Sequence, residues 1–383
     1  MIVDRRSMLA GAAALAALPT AALRAQTGRI YRNSIALDGT RVWMAAKIGT
    51  HGPYFFIVDT GATLSVIDDD LARTLKLDVI RKRALVKGIG GVAEYPLYDA
   101  RDVTFASGLR IPNMPFNGTK ARLGKDAVGS FGSGLFTTYD SDLDFVKGEW
   151  RAYPEGRPDF AGLRQLKSRF LGSFTNGDRI FADATLDGFA GEFMLDTGMP
   201  GQVRLDGRAA KTSGLWSADR PYAPTEGRGF GPGSVSMRLV RVKDLHLGPM
   251  TLHRPIVALE KPGSPLHEGD GIIGLGVLGR LHLTTQVRSR TLWIAPNGLP
   301  PRAEVYPMSG LWFDRKGDTI TIADVGTGSP AAAAGLMVGD RIGGIAWSDL
   351  IRRVNGPAGS EVAFTAERGG QRRDVTLKLV DYL

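Results

Sequence analysis

Tyr54-Phe55-Phe56-Ile57-Val58-Asp59-Thr60-Gly61-Ala62 decides how this chain reads. An apolar run, which reads as a buried strand, delivers a carboxylate, a small hydroxyl residue and a glycine to a tight turn that another backbone can approach closely. A reduced copy, Phe193-Met194-Leu195-Asp196-Thr197-Gly198, stands in the second half of the chain. Two such turns facing each other would pair two carboxyls. Carboxyls within hydrogen-bonding distance cannot both ionise, so they share a proton and can hold a water between them, one acting as base and the other as acid.

The flanks repeat as well. Ahead of Asp59 the sequence predicts a strand over Val42–Ile48, a turn at Gly49-Thr50-His51-Gly52 and a strand over residues 54–58. Ahead of Asp196 it predicts a strand over residues 180–186, a turn at Asp187-Gly188-Phe189-Ala190-Gly191 and a strand over residues 192–195. Both read as hairpins. Downstream, glycine-rich tips follow in each half, Lys87-Gly88-Ile89-Gly90-Gly91-Val92 and Gly227-Arg228-Gly229-Phe230-Gly231-Pro232-Gly233. Then come Ala127-Val128-Gly129 and Ile272-Ile273-Gly274, and each half ends on a strand, Trp150-Arg151-Ala152-Tyr153-Pro154 or Trp293-Ile294-Ala295-Pro296. A duplicated supersecondary unit explains this better than two coincidences.

Across residues 28–297 the pattern resembles the retropepsin-like aspartic peptidase family in its bacterial two-lobed form. The resemblance implies a mainly β fold of two retropepsin/pepsin-like acid protease lobes of the closed-barrel type, over residues 26–160 and 161–300. It implies catalysis by Asp59 and Asp196, with Thr60 and Thr197 cross-bracing the turns and Gly61 and Gly198 leaving room for substrate. Gly88, Ile89, Gly90 and Gly91, with Gly229, Phe230 and Gly231, would form substrate flaps. No cofactor and no metal are implied. One departure stands out: the second turn continues Met199-Pro200, where the family has Ala, Ser or Thr. A bulky side chain before a proline puts the geometry of that turn in question.

Composition agrees with a globular protein of two or three domains: 383 residues, 43% hydrophobic and 23% charged. The net charge of +9 comes from scattered Lys and Arg with no aromatic-interleaved basic block, so nucleic acid is not an expected partner. The chain has no cysteine, which removes disulfides, thiol nucleophiles and cysteine-zinc sites. Its five histidines, His51, His246, His253, His267 and His282, have no metal-ligand spacing. Asp68-Asp69-Asp70 reads as the start of a helix, where carboxylates cap amides and complement the dipole.

Residues 1–25 read as an export signal of the twin-arginine type: Arg5-Arg6 precedes an apolar stretch, Pro19 and small residues up to Ala25. The apolar run is short for a span, which needs about 20 residues. Periplasmic or secreted placement follows, with an uncleaved anchor as the alternative.

After the turn-rich Pro296-Asn297-Gly298-Leu299-Pro300-Pro301, residues 301–383 change character. Ser309-Gly310-Leu311-Trp312-Phe313, a strand over Thr319–Val325, and Gly328-Ser329-Pro330 leading to Leu336-Met337-Val338-Gly339-Asp340 resemble a bacterial PDZ domain. That resemblance implies a peptide site at Gly310, Leu311, Trp312 and Phe313, whose amides would receive a peptide carboxylate. Two functions stay open: an exported aspartic endopeptidase with a PDZ domain for peptide recruitment or regulation, and an inactive peptide-binding protein using the same cleft. The distance between the two carboxyls, and the place of Met199, discriminate them.

Overall fold

The computed structural model describes residues 28–383 apart from Ile89, residues 174–176, Phe230 and Leu266. The expected export signal therefore lies outside the described residues. The chain is mainly β, and three sheets account for it.

Alternation decides which way each strand faces. In Val42–Ile48 the side chains of Val42, Met44, Ala46 and Ile48 are buried while Lys47 points out, the period-two pattern of a strand with one face on a core. Opposite it, His51–Val58 ends in the fully buried Phe56, Ile57 and Val58. Phe56 stacks on Phe131 with ring centroids 4.3 Å apart, and Phe105 bridges Phe131 and Trp150. Rings of this size bury large apolar areas and dominate a core of this kind. The second half fills its core with Phe181, Phe193, Leu186, Leu205 and Leu245.

Both halves close by the same topology. Strand His51–Val58 runs parallel to Gly129–Phe131, and Ser65–Asp68 lies antiparallel to the latter and parallel to Arg110–Thr119. In the second half Phe189–Asp196 runs parallel to Gly271–Gly274, and Val203–Leu205 lies antiparallel to that strand and parallel to Ile256–Glu260. The register corrects the sequence reading at one point. Val58 faces Phe131 as Leu195 faces Ile273, so the counterpart of Ile272-Ile273-Gly274 is Ser130-Phe131-Gly132 and not Ala127-Val128-Gly129. Gly129 instead matches Gly271: a Cβ at either would stand 2.0 Å from a carbonyl oxygen, that of Val66 or Arg204. Each supporting segment carries two glycines three residues apart, Gly129 and Gly132 or Gly271 and Gly274, so sequence alone does not distinguish the two registers.

The halves are stitched by backbone. Asp140–Asp144 pairs antiparallel with Leu281–Gln286, so one sheet runs through both. Under that seam Asp142 is fully buried. Its carboxylate accepts from Arg157 Nε at 2.9 Å, Thr284 Oγ1 at 2.8 Å, Tyr153 Oη at 2.7 Å and Arg151 Nη1 at 3.3 Å. Burial works against ionisation, but His282, 3.6 Å away, together with Tyr153, Arg157 and Thr284, outweighs it and holds the carboxyl well below the ordinary range.

The third sheet, Leu311–Lys316, Thr319–Val325, Arg341–Gly343, Glu361–Arg368 and Gln371–Lys378, is antiparallel throughout. It has its own core around Leu311, Phe313, Ile322, Leu350, Val362 and Phe364. Ser329 caps the short helix Pro330–Ala333, its Oγ accepting from Ala332 N, with Pro330 in the first turn. A helix over Trp347–Val354, absent from the sequence reading, places Leu350 and Val354 on that core.

Candidate active site

Each Asp-Thr-Gly turn is shaped by its own backbone. Asp59 Oδ1 accepts from Gly61 N at 3.2 Å and Ala62 N at 3.1 Å, and Asp196 Oδ1 accepts from Gly198 N at 2.7 Å. These bonds fix the carboxyl rotamers. Behind the turns the supporting segments make matching bonds, Ser133 N to Ala62 O at 2.8 Å and Leu275 N to Met199 O at 2.7 Å.

The turns lock together through their threonines. Thr60 Oγ1 donates to Leu195 O at 2.8 Å and accepts from Thr197 N at 3.0 Å. Thr197 Oγ1 donates to Val58 O at 2.6 Å and accepts from Thr60 N at 3.2 Å. Both hydroxyls are buried, so nothing else could satisfy those four backbone groups.

This brace brings the carboxyls together. Asp59 and Asp196 lie side by side: a Cβ built on Gly198 would be within 3.0 Å of both Asp59 Cγ and Asp196 Oδ1. Glycine is required at both turns: a Cβ on Gly61 would stand 2.4 Å from Asp196 Cγ, and one on Gly198 would stand 2.6 Å from Asp59 Cγ. Burial and the Asp196 charge push Asp59 well above the ordinary carboxylate range. Burial also raises Asp196, partly offset by the Gly198 amide. Two carboxyls in one desolvated site hold one proton between them, and the pair titrates as a unit.

Met199 leaves this arrangement intact. Its Cε stands 2.6 Å from where a Cβ on Gly274 would be, so the side chain folds back against the supporting segment, which is glycine at that contact. Its carbonyl makes the same bond as that of Ala62. A larger residue fits because only the backbone is shared between the turns.

The expected flaps are the hairpin Asp78–Gly88 with Gly91–Phe105, and the hairpin Ala223–Arg228 with Ser234–Arg241. Ile89 and Phe230 lie outside the described residues, but the tips around them meet: Gly233 N donates to Gly90 O at 2.8 Å, and a Cβ on Gly90 would stand 2.7 Å from the carbonyl carbon of Gly231.

At the third sheet, Gly310 N donates to Pro307 O at 3.0 Å and Leu311 N to Ser309 Oγ at 3.3 Å. Two of the amides expected to receive a peptide carboxylate therefore have partners within the chain. Trp312 and Phe313 lie on the edge strand Leu311–Lys316. Sequence reasoning missed Tyr222, just ahead of the second flap. Its hydroxyl donates to Asp324 Oδ1 at 2.8 Å, its amide to Thr327 O at 3.2 Å, and its carbonyl accepts from Tyr382 Oη at 2.9 Å.

Among the described residues no group of three or more His, Asp or Glu converges to hold a metal ion. The acidic run has local partners: Asp68 caps its helix at Leu71 N, and Asp69 pairs with Arg73 and Tyr98.

Residues 44–133, which contain the first turn, the first flap and its supporting strand, match the aspartyl protease family. Among solved structures the chain is similar to aspartic proteinase from Irpex lacteus, at 14% identity and TM-score 0.47, covering 70% of this chain and 98% of that one. It is similar also to basic 7S globulin from soybean, at 8% identity and TM-score 0.39, covering 70% of this chain and 96% of that one. No curated protein matched the sequence.

Proposed function

We propose that the chain is an exported aspartic endopeptidase. The observation that carries this reading is the Asp59–Asp196 pair, each carboxyl packed against the other turn's glycine, both turns held by reciprocal threonine bonds, and both groups raised above ordinary carboxylates by burial. In the singly protonated pair the ionised carboxyl takes a proton from a bound water as it attacks the peptide carbonyl. The protonated carboxyl gives its proton to the carbonyl oxygen, and collapse of the resulting diol expels the amine, which takes a proton from one carboxyl while the diol hydroxyl returns its proton to the other, so the dyad ends singly protonated as it began. The flaps would cover an extended peptide and hydrogen-bond its backbone. An inactive binding protein would not need to hold two carboxyls at such electrostatic cost.

Residues 301–383 we assign to a PDZ-type module. The contacts of Tyr222 with Asp324, Thr327 and Tyr382 favour a role in bracing the second flap over capture of free peptide ends. Export rests on Arg5-Arg6 ahead of a short apolar region; changing both to lysine should leave the precursor in the cytoplasm.

Incubation of the mature chain with a mixed peptide library at several pH values tests the activity. Turnover should follow a bell-shaped pH profile whose basic limb lies above the ordinary carboxylate range. Asp59→Asn and Asp196→Asn should each abolish it with folding intact. Near-normal cleavage by Asp196→Asn would refute the paired mechanism.

A further inference from the structure

Arg41 stands immediately before the strand Val42–Ile48, half-buried beside the paired turns. Its Nη1 donates to Thr40 O at 3.0 Å and to Gly198 O at 3.4 Å, and Gly198 is the glycine whose Cβ would touch Asp59. The guanidinium is therefore one residue away from the dyad. Its Nε and Nη2 have no acceptor among the described residues, and no Asp or Glu of those residues lies within ion-pair distance. The nearest acidic residue in sequence is already engaged: the Asp38 carboxylate accepts from Thr40 N at 2.9 Å, Arg41 N at 2.9 Å and Trp43 Nε1 at 2.6 Å.

The internal repeat supplies a control. Trp43 faces Ile57 two residues before Asp59, and Phe181 faces Met194 two residues before Asp196, so Arg41 and Arg179 occupy equivalent positions. Arg179 is neutralised by Glu268. Arg41 has no such partner. The loop around Gly124 comes to the Trp43 ring, 3.8 Å from a Cβ built on Gly124, and carries the exposed Lys120, Arg122 and Lys125, none of them in an ion pair among the described residues.

A singly ionised dyad repels an acidic substrate side chain, so a site cleaving next to one needs a cation close by. A guanidinium with free donors matches a carboxylate in a two-point bond. We infer that Arg41 forms an acidic subsite beside the dyad, and that the cleft selects peptides with an Asp or Glu side chain flanking the scissile bond. This rests on the endopeptidase reading above. Lys120, Arg122 and Lys125 extend the preference to acidic residues further along the peptide.

Matched peptides carrying Glu, Gln or Lys at each position around one scissile bond test it, with kcat/KM measured for wild type, Arg41→Gln and Arg41→Glu. Wild type should favour Glu over Gln at one position by about tenfold, as expected for a charged hydrogen bond, and less at high salt. Arg41→Gln should erase that ratio and Arg41→Glu should turn it toward Lys. A wild type without acidic preference, or a preference that survives Arg41→Gln, overturns the inference. Calorimetry of the same peptides on full-length Asp59→Asn, with and without Arg41→Gln, separates the two readings. If wild type cleaves nothing yet Glu peptides bind in an Arg41-dependent way, the subsite stands and the peptidase reading falls. If binding shows no such preference, the subsite falls as well.

Discussion

Replacing Thr197 with valine isolates the brace between the two turns. Valine keeps the shape of threonine, so no cavity opens, but the hydroxyl that donates to Val58 O and accepts from Thr60 N disappears. Thr197 is fully buried, and water cannot take over either group. Each buried backbone group left without a partner costs about 1–3 kcal/mol, so the loss of two should cost roughly 2–6 kcal/mol. Against a typical total of about 5–15 kcal/mol this is a large share. At about 2–4 °C per kcal/mol for units of this size, the melting temperature should fall by roughly 4–24 °C. Thermal melting of the protein, followed by circular dichroism at neutral pH, reads the effect. Thr60→Val removes the reciprocal pair, to Leu195 O and from Thr197 N, and should behave alike. A change below about 0.5 kcal/mol in either variant, the level of an ordinary surface substitution, would refute the claim that these hydroxyls hold the lobes in register.

Asp59→Asn should stabilise the protein at neutral pH. The folded pKa of Asp59 lies above its unfolded value, so the carboxyl favours folding below the unfolded pKa and loses that contribution as pH rises through the folded one; urea midpoints of wild type and variant should converge at acid pH and separate toward neutrality. Asp142 has the opposite sign, because its folded pKa is depressed: its contribution is present above the unfolded pKa and lost only as pH falls far below it. Asp142→Asn leaves Arg157 without its buried counter-charge, while Arg151 keeps Asp144 and Glu149, and should cost about 3 kcal/mol at neutral pH, read from the same urea curves. Gly90→Ala places a methyl 2.7 Å from the Gly231 carbonyl and should part the flap tips, raising amide hydrogen exchange at Gly233 while the melting temperature changes little.

Much of this protein is legible without coordinates. Strand Val42–Ile48 follows from alternation, the cap at Asp68 from the hydrogen-bonding reach of a carboxylate ahead of a helix, and the helix Pro330–Ala333 from serine, proline and alanine in order. These features depend on neighbours in sequence. The helix Trp347–Val354 has its own local signal, in the spacing of Trp347, Leu350, Ile351 and Val354. The duplication of the Asp-Thr-Gly turn likewise pointed to two carboxyls that could meet.

What the sequence could not fix is how those repeats engage each other. The reciprocal bonds of Thr60 and Thr197, the meeting of Gly90 with Gly233, and the seam between Asp140–Asp144 and Leu281–Gln286 join residues far apart in the chain. Met199 looked like an obstacle because the sequence gives its size but not its direction, and the direction is set by the space above Gly274. The contrast between Arg179 and Arg41 is of the same kind. Glu268 lies 89 residues from Arg179, and only folding decides that one arginine of the repeat meets a carboxylate while its counterpart beside the dyad keeps donors free. Secondary structure answers to local stereochemistry, whereas the charge of a site is a sum over whatever the fold brings near it.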